Sequence, residues 1–587
     1  MEYVNAAGRV LRTSASSTSW IGGEQGRPGV VVGTSANETL TGYDGDVLRG
    51  GTGDDIYGMA GAAVVVEQAG EGIDTVSAWS SYVLPDHVEN LVMNGGYGWY
   101  GIGNDLDNII VGTGGAQQID GGEGDDVLIG GGGDDLFVIS AGAGSDVILD
   151  FGAGGDQIRL GGYGLSRFEE VLGLARQSGA DTVISLPNGE RLVLRDVALG
   201  DLRADDFLLD VDRDALRLTF ADEFDAASLA VDGGFWRTAY GYMSADTVGS
   251  RSMNDESQVY MDPRFAGTGA RPLGVNPFSV DAGVLTITAA PVTPDVAPWV
   301  DGRAYTSGLL TSQGAFAQLY GYFEIRAALP AGQGFWPAFW LLPSDGGWPP
   351  EIDVFEMLGA DPTTLHVGAH ETIDGRHVAG GDRFRIDTTQ FHTYGVDWGP
   401  ETLTFYVDGT AIFSRPTPET MNRPMYLLMN LAVGGAWGGA PDETTGVGEM
   451  RIDWVRAYAT QHTVGGPFAP VSPPVPSKAG PSDEPVVCLA LGAPAAATPT
   501  AVSSTPASQP DDFLPIGRWA FEDRPGADAP TSGWADHPAA RLGDGFPEHW
   551  FAAGHDAGAD LLSPGTAFAD PAPPSAFPSD WDALLGG

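Results

Sequence analysis

Cysteine and lysine are almost missing from this chain of 587 residues. Cys488 is the only thiol, so no intramolecular disulfide can form and oxidative stapling is excluded. Lys478 is the only lysine, and 29 basic against 78 acidic residues give a net charge of −49. So acidic a surface excludes nucleic acid as a partner. It suits divalent cations, and it is poorly matched to a densely anionic polymer unless a cation neutralises it. Long apolar runs are lacking too. None approaches the ~18 residues needed to span a bilayer, so membrane insertion is not expected. The opening residues, Met1 to Arg9, hold an early acid and no apolar segment, so no N-terminal export signal is read there. A monomer is expected.

Glycine and aspartate are plentiful, and they are phased. Gly121-Gly122-Glu123-Gly124-Asp125-Asp126-Val127-Leu128-Ile129 runs directly into Gly130-Gly131-Gly132-Gly133-Asp134-Asp135-Leu136-Phe137-Val138. A further copy starts at Gly50 and a looser one surrounds Asp46 and Leu48, while Asp146 with Ile148 and Asp156 with Ile158 continue the phase. The pattern resembles the nonapeptide repeat of calcium-binding β-rolls. The glycine-rich half makes a turn whose oxygens can hold Ca²⁺. The other half is a short strand with one apolar residue for a narrow core. Asp46, Asp55, Asp126, Asp135, Asp146 and Asp156 are the candidate Ca²⁺ ligands. The roll is expected over residues 31–160, after an N-terminal segment (1–30), interrupted at about 58–100 into two short rolls, with a capping and connecting segment at 161–213.

Residues 351–356 read Glu-Ile-Asp-Val-Phe-Glu. Alternation makes this a strand. Glu351 and Asp353 share a face, with Ile352 and Val354 on the other. Glu356 has the wrong parity, and a one-residue β-bulge near Val354 and Phe355 restores it. Two glutamates on one face can then converge on the ~5–5.5 Å separation of a retaining glycosidase. Trp336, Trp340 and Trp348 precede and flank the strand. They read either as core or as rings that stack on sugars.

The surrounding pieces make a resemblance specific. They are Asp222-Glu223-Phe224, Asn254-Asp255-Glu256-Ser257-Gln258-Val259-Tyr260, Tyr305-Thr306-Ser307-Gly308 and Tyr320-Gly321-Tyr322-Phe323-Glu324-Ile325-Arg326. Phe391-His392-Thr393-Tyr394, Tyr406-Val407-Asp408-Gly409, Asn430-Leu431-Ala432-Val433-Gly434-Gly435 and Arg451-Ile452-Asp453-Trp454-Val455 follow the acidic strand. Residues 214–460 resemble a glycoside hydrolase family 16 catalytic domain, on the bulged, laminarinase-like branch. The stretches 305–312 and 348–351 are similar to endo-β-1,3-1,4-glycanases that cut succinoglycan-type exopolysaccharide. The resemblance implies a β-jelly-roll sandwich and a retaining mechanism, with Glu351 as nucleophile, Asp353 as assisting carboxylate and Glu356 as acid/base. It brings His370 forward as a cleft residue, a histidine that reads equally as a structural hydrogen-bonder; His366 shares its parity. It brings Glu223 and Asp453 forward as ligands of a structural Ca²⁺. Asn254, Glu256 and Gln258 alternate with period two and read as sugar contacts or as an exposed sheet face. Asn430 joins the candidate substrate contacts.

Residues 464–512 are rich in Pro, Ala, Ser and Thr and read as a linker. Residues 513–587 are acidic and rich in Gly and Pro, and read as a disordered tail or a small carbohydrate-binding element. The expected whole is all-β: a calcium-binding parallel β-roll, a jelly-roll hydrolase and a tail. Repeats of this kind resemble cargo of bacterial type I secretion, whose machinery reads a C-terminal signal; an extracellular protein is expected, folding where calcium is available. Ca²⁺ is expected as a structural ion and no cofactor for catalysis. Two functions stand: an endo-acting retaining hydrolase of β-1,3 and/or β-1,4 linkages in a glucan or exopolysaccharide, and a non-catalytic matrix protein that binds polysaccharide.

Overall fold

A computed structural model of the chain describes residues 2–13, 19–95, 99–226, 228–241 and 246–463. The anticipated linker (464–512) and tail (513–587) lie outside the described residues.

Each glycine-rich turn reverses the chain, and the apolar residues after it become one strand of a parallel solenoid. Gly53 shows why the turn needs glycine: its φ is +132°, and a Cβ there would lie 2.7 Å from the Ala36 carbonyl oxygen of the neighbouring turn. Leu40, Tyr57, Val76, Leu91, Ile110, Leu128 and Ile148 stand in register down one wall and are fully buried. From Ile110 to Leu128 the chain advances 18 residues, one nine-residue unit for each wall of a coil. Coils this small bury their apolar residues only by stacking.

The expected interruption at 58–100 is corrected by the structure. The long wall passes unbroken from Ile56–Met59 through Thr75–Ala78 and Asn90–Met93 to Ile109–Val111. Ala69-Gly70-Glu71-Gly72-Ile73-Asp74 makes the same turn with alanine in the first glycine's place, and it docks on its neighbour through Gly53 N–H to Glu71 O. Only the opposite wall breaks, between Val64–Val65 and Tyr82–Val83. The wall also starts earlier than residue 31, at Ser19–Gly22. At the other end Arg191–Leu194 joins it in parallel, and Asp181–Ser185 and Ala175–Ser178 add antiparallel strands.

Residues 217–459 form a β-jelly-roll sandwich. One sheet orders Gln258–Tyr260, Tyr305–Ser307, Val284–Pro291, Gly448–Ala459, Gly321–Ala328, His392–Trp398, Thr402–Val407 and Thr410–Pro416. The other orders Leu309–Thr311, Met425–Val433, Phe335–Pro343, Glu351–Met357, Thr364–Ile373 and Arg376–Arg385. Phe323, Ile325, Val396 and Phe405 of the first sheet and Phe339, Ile352, Phe355 and Leu427 of the second share the buried core. Such burial is the main stabilising term, about 1.5–3 kcal/mol per large side chain.

The solenoid packs against this domain at the edge strand Arg376–Arg385. Gln118 Oε1 accepts the Arg385 backbone N–H at 2.9 Å. The guanidinium carbons of Arg383 and Arg385 lie 4.4 Å and 4.8 Å from the ring centroids of Trp99 and Tyr100. Arg159 donates to the Val407 carbonyl at 3.2 Å.

Candidate active site

The acidic strand Glu351–Met357 carries the anticipated bulge. Against one neighbour Asp353 faces Trp340 and Phe355 faces Phe339, leaving Val354 surplus. Against the other Asp353 faces Gly368 and Glu356 faces His366, again with one residue to spare. Ile352, Val354, Phe355 and Met357 therefore all enter the core. Glu351, Asp353 and Glu356 are returned to the opposite face of the sheet, away from the core.

Two tryptophans hold the outer carboxylates. Trp336 donates Nε1–H to Glu356 Oε1 at 3.0 Å, and Trp348 donates Nε1–H to Glu351 Oε2 at 2.8 Å. His370 stands opposite Glu351 in the ladder. Its Nε2 lies 3.2 Å from Asp353 Oδ2 and 3.9 Å from Glu351 Oε1. One carboxylate oxygen of Glu351 and one of Asp353 lie within 4.8 Å of each other and of a ring nitrogen of His370. His366 shares the face of the three acids, its ring 5.0 Å from that of Trp437, which in turn packs edge-on to Trp336 at 5.5 Å.

Burial raises all three carboxylic acids, because desolvation disfavours the charged form. Glu351 is pushed up to about 8, by burial first and then by the Asp353 charge, with His370 and the Trp348 N–H opposing. Burial lifts Asp353 to about 7. Glu356 rises well above the ordinary carboxylate range, by burial and then by the charges of Asp353 and Glu351, opposed only by the Trp336 N–H. All three carboxyls thus hold their protons more firmly than free acids; on Glu351 both His370 and the Trp348 N–H oppose this, on Glu356 the Trp336 N–H alone. Such differences in surroundings are what assign acid and base roles to paired carboxylates.

The other anticipated contacts divide. Trp336, Trp340 and Trp348 all point polar edges into the site region, but Trp340 donates to Asn430 Oδ1 at 2.7 Å rather than to a carboxylate. Asn430 is buried and also donates to the Tyr260 hydroxyl at 3.1 Å, so it anchors the tryptophan from beneath. The shared face expected for Asn254, Glu256 and Gln258 is corrected. Asn254 and Asp255 have φ of 51° and 55° and form a turn, and the strand begins only at Gln258. Asn254 is exposed there. Glu256 and Gln258 are buried, bonded to each other at 2.5 Å, and Gln258 Oε1 accepts the Val433 N–H at 2.7 Å. Both are used up in holding the loop to the sheet.

Glu223 and Asp453 are not brought together as a cation site. Arg456 grips both oxygens of Glu223, at 2.9 Å and 3.0 Å, and Arg326 lies 3.0 Å from Asp453. Among the described residues, no group of three close metal-ligating side chains includes either.

The solenoid aspartates fit a cation unevenly. Asp46 and Asp156 have both oxygens engaged by backbone N–H groups. Asp126, Asp135 and Asp146 each cap a backbone N–H of the adjacent turn, and Asp126 Oδ2 is buried without a hydrogen-bond partner. The best fit includes two residues that the repeat pattern did not mark, Glu67 and Asp74. Asp55, Glu67 and Asp74 are buried and offer oxygens within 4.8 Å of one another. Neither carboxylate oxygen of Glu67 meets a hydrogen-bond donor, and its carboxyl neighbour is another acid, Glu71. Three to four acids converging on one buried spot suit a hard divalent cation.

Three carboxylic acids set on one face of a jelly-roll sheet, with an indole N–H on each outer glutamate, fit the class of glycoside hydrolases. The glycosyl hydrolases family 16 pattern matches residues 275–456. Two curated proteins of Rhizobium meliloti (strain 1021), endo-1,3-1,4-beta-glycanase ExsH and endo-1,3-1,4-beta-glycanase EglC, are 44% and 43% identical over 462 residues, 78% of this chain and 97% of theirs. The beta-glucanase of Rhodothermus marinus is 34% identical over 41% of this chain and 84% of its own. The chain belongs to glycosyl hydrolase family 16.

Proposed function

We propose that this hydrolase is an endo-acting, retaining glycanase that cuts β-1,3 and/or β-1,4 linkages of a β-glucan or bacterial exopolysaccharide. The observation that carries the reading is the bulged strand that sets Glu351, Asp353 and Glu356 on one face of the sheet, with a tryptophan N–H on each outer glutamate. In the first step Glu351 attacks the anomeric carbon and forms a glycosyl ester, while the bond to the glycosidic oxygen breaks and Glu356 protonates that oxygen, so that the leaving sugar departs with a free hydroxyl. In the second, Glu356, now ionised, takes a proton from water, and that water releases the sugar from Glu351. Asp353 shares its proton with Glu351 and steadies its changing charge. The names of the two long-matching relatives support the linkage class. Product analysis on laminarin, mixed-linkage glucan, succinoglycan and agarose tests the reading: internal cleavage of at least one of the first three is expected, and no hydrolysis of any would refute it.

The reading extends to the solenoid. Ca²⁺ held by Asp55, Glu67 and Asp74, and by the stacked pair Asp126 with Asp146, would neutralise acids that otherwise repel across adjacent turns. Its role is structural, since these residues are on the solenoid and Glu351, Asp353 and Glu356 are on the sandwich. Folding that depends on external calcium suits export by type I secretion machinery to the extracellular space, with a polysaccharide as the partner.

A further inference from the structure

We propose that His377 is a positioning residue of the hydrolytic site: it donates its Nε2–H to His370 Nδ1 and so fixes the His370 proton on Nε2, facing Asp353. This rests on the reading of the Glu351, Asp353 and Glu356 set as the hydrolytic centre.

The local sequence places the two rings together. Asp374 and Gly375, both with positive φ, make the two-residue turn of a β-hairpin that pairs Thr372 with His377 and His370 with Ala379. His377 is therefore the diagonal neighbour of His370 on the same face, within reach of another ring. His370 Nδ1 and His377 Nε2 are 2.8 Å apart, and the ring planes differ by 4°, so the contact is an in-plane hydrogen bond. Trp348 lies 4.6 Å from the His377 ring and donates to Glu351. The contacts close a circuit: Glu351, Trp348, His377, His370, Asp353 and back to Glu351.

Hydrogen-bond roles follow from the ends of this circuit. A carboxylate oxygen accepts, so His370 Nε2, 3.2 Å from Asp353, carries a hydrogen. Two ring nitrogens at 2.8 Å share one hydrogen. If His370 is neutral, its Nδ1 is a lone pair and His377 is the donor. Burial favours that neutral form. Glu351 and Asp353 face it from the acidic strand, Trp348 from the preceding loop, and His377 from the neighbouring strand. Glu371 lies next in sequence and is paired with Arg415 at 2.6 Å. Burial lowers the His370 pKa, Glu351 opposes, and Arg415 lowers it further. A neutral His370 donates to Asp353 without adding a positive charge beside the nucleophile. Without the His377 donor the proton can sit on Nδ1, and His370 then presents a lone pair to Asp353. Loss of a tautomer-fixing partner is known to be costly for catalytic imidazoles.

The test compares full-length His377→Phe and His377→Gln, because the glutamine amide can still donate to Nδ1. Expected is a loss of roughly 10–100-fold in kcat for His377→Phe with KM within about twofold, as for misplaced catalytic groups, and largely restored kcat for His377→Gln. Nitrogen-15 NMR of histidine-labelled protein, with His370→Gln for assignment, should show His370 protonated on Nε2 in the parent and a tautomer mixture in His377→Phe. Parent-like kcat with an unchanged tautomer in His377→Phe would overturn the proposal, and so would equal losses in Phe and Gln variants whose tautomer matches the parent. If the parent hydrolyses no β-glucan, the functional reading fails, while the NMR measurement still decides which atom carries the proton.

Discussion

Trp336 gives its indole N–H to Glu356 across 3.0 Å, and among the described residues this is the one hydrogen bond that draws the Glu356 carboxyl toward its ionised form. Burial and the neighbouring charges of Asp353 and Glu351 push the other way. One indole therefore opposes the burial and charge that make the proposed general acid keep its proton.

Replacing Trp336 with Phe keeps a ring and removes the N–H. The lowering influence disappears, so the Glu356 pKa rises. The alkaline limb of the pH–kcat profile, where the acid loses its proton, should move up by about one pH unit, the equivalent of a charge-assisted hydrogen bond of about 1.5 kcal/mol. A limb that stays in place or moves down would show that Glu356 is not the acid that this limb reports.

Glu351→Gln should abolish hydrolysis and leave the fold intact. The amide cannot attack, yet it is nearly isosteric and still accepts from Trp348. Turnover should fall at least ~10³-fold, the scale seen when catalytic residues are removed, with an unchanged circular dichroism spectrum. Activity within tenfold of the parent would remove Glu351 from the nucleophile's role.

Stereochemistry is an independent check. The proposed roles of Glu351 and Glu356 imply double displacement, so a β-glucan should give the β anomer as first-formed product in proton NMR. An initial α anomer would mean single displacement by water.

Glu67→Gln should act in opposite directions with and without calcium. In chelator the variant loses one buried charge from the group formed with Asp55 and Asp74, so its melting temperature should exceed the parent's. In millimolar Ca²⁺ it lacks a ligand and gains less by mass action, so it should melt below the parent. Differential scanning calorimetry reads both arms, and the same ranking in both would refute a cation at this position.

Much of the site was legible because strand alternation is local. Glu351, Ile352, Asp353 and the bulge at Val354 follow from side-chain parity and the need to bury Val354 and Phe355. Glu256 and Gln258 were misjudged for the same reason in reverse: parity was applied where Asn254 and Asp255 take left-handed turns. The continuous solenoid wall was hidden because Ala69 stands where the repeat has glycine, and Glu67 was hidden because it precedes the repeat unit. His377 carried a readable signal, the Asp374-Gly375 hairpin turn that places it diagonally to His370. Trp437 had none, since its approach to His366 depends on how distant strands are ordered.

Asn108 stands in the solenoid ladder where neighbouring coils have acids. Its Oδ1 accepts the Asn104 N–H, and its Nδ2 reaches Val88 O, Glu89 O and Asn104 Oδ1 at 3.3, 3.0 and 3.1 Å. These amide hydrogens gather oxygens that a cation would gather elsewhere. The coil around Asn108 can therefore close before any ion arrives, and it divides the acids into an early group at Asp55, Glu67 and Asp74 and a late group at Asp126 and beyond. Under the proposed calcium dependence, assembly is expected to start from the middle and zip outward in two directions, as in a chain of nearest-neighbour units. In chelator, backbone amides near Asn104 and Asn108 should exchange with deuterium more slowly than those near Asp55 or Asp146.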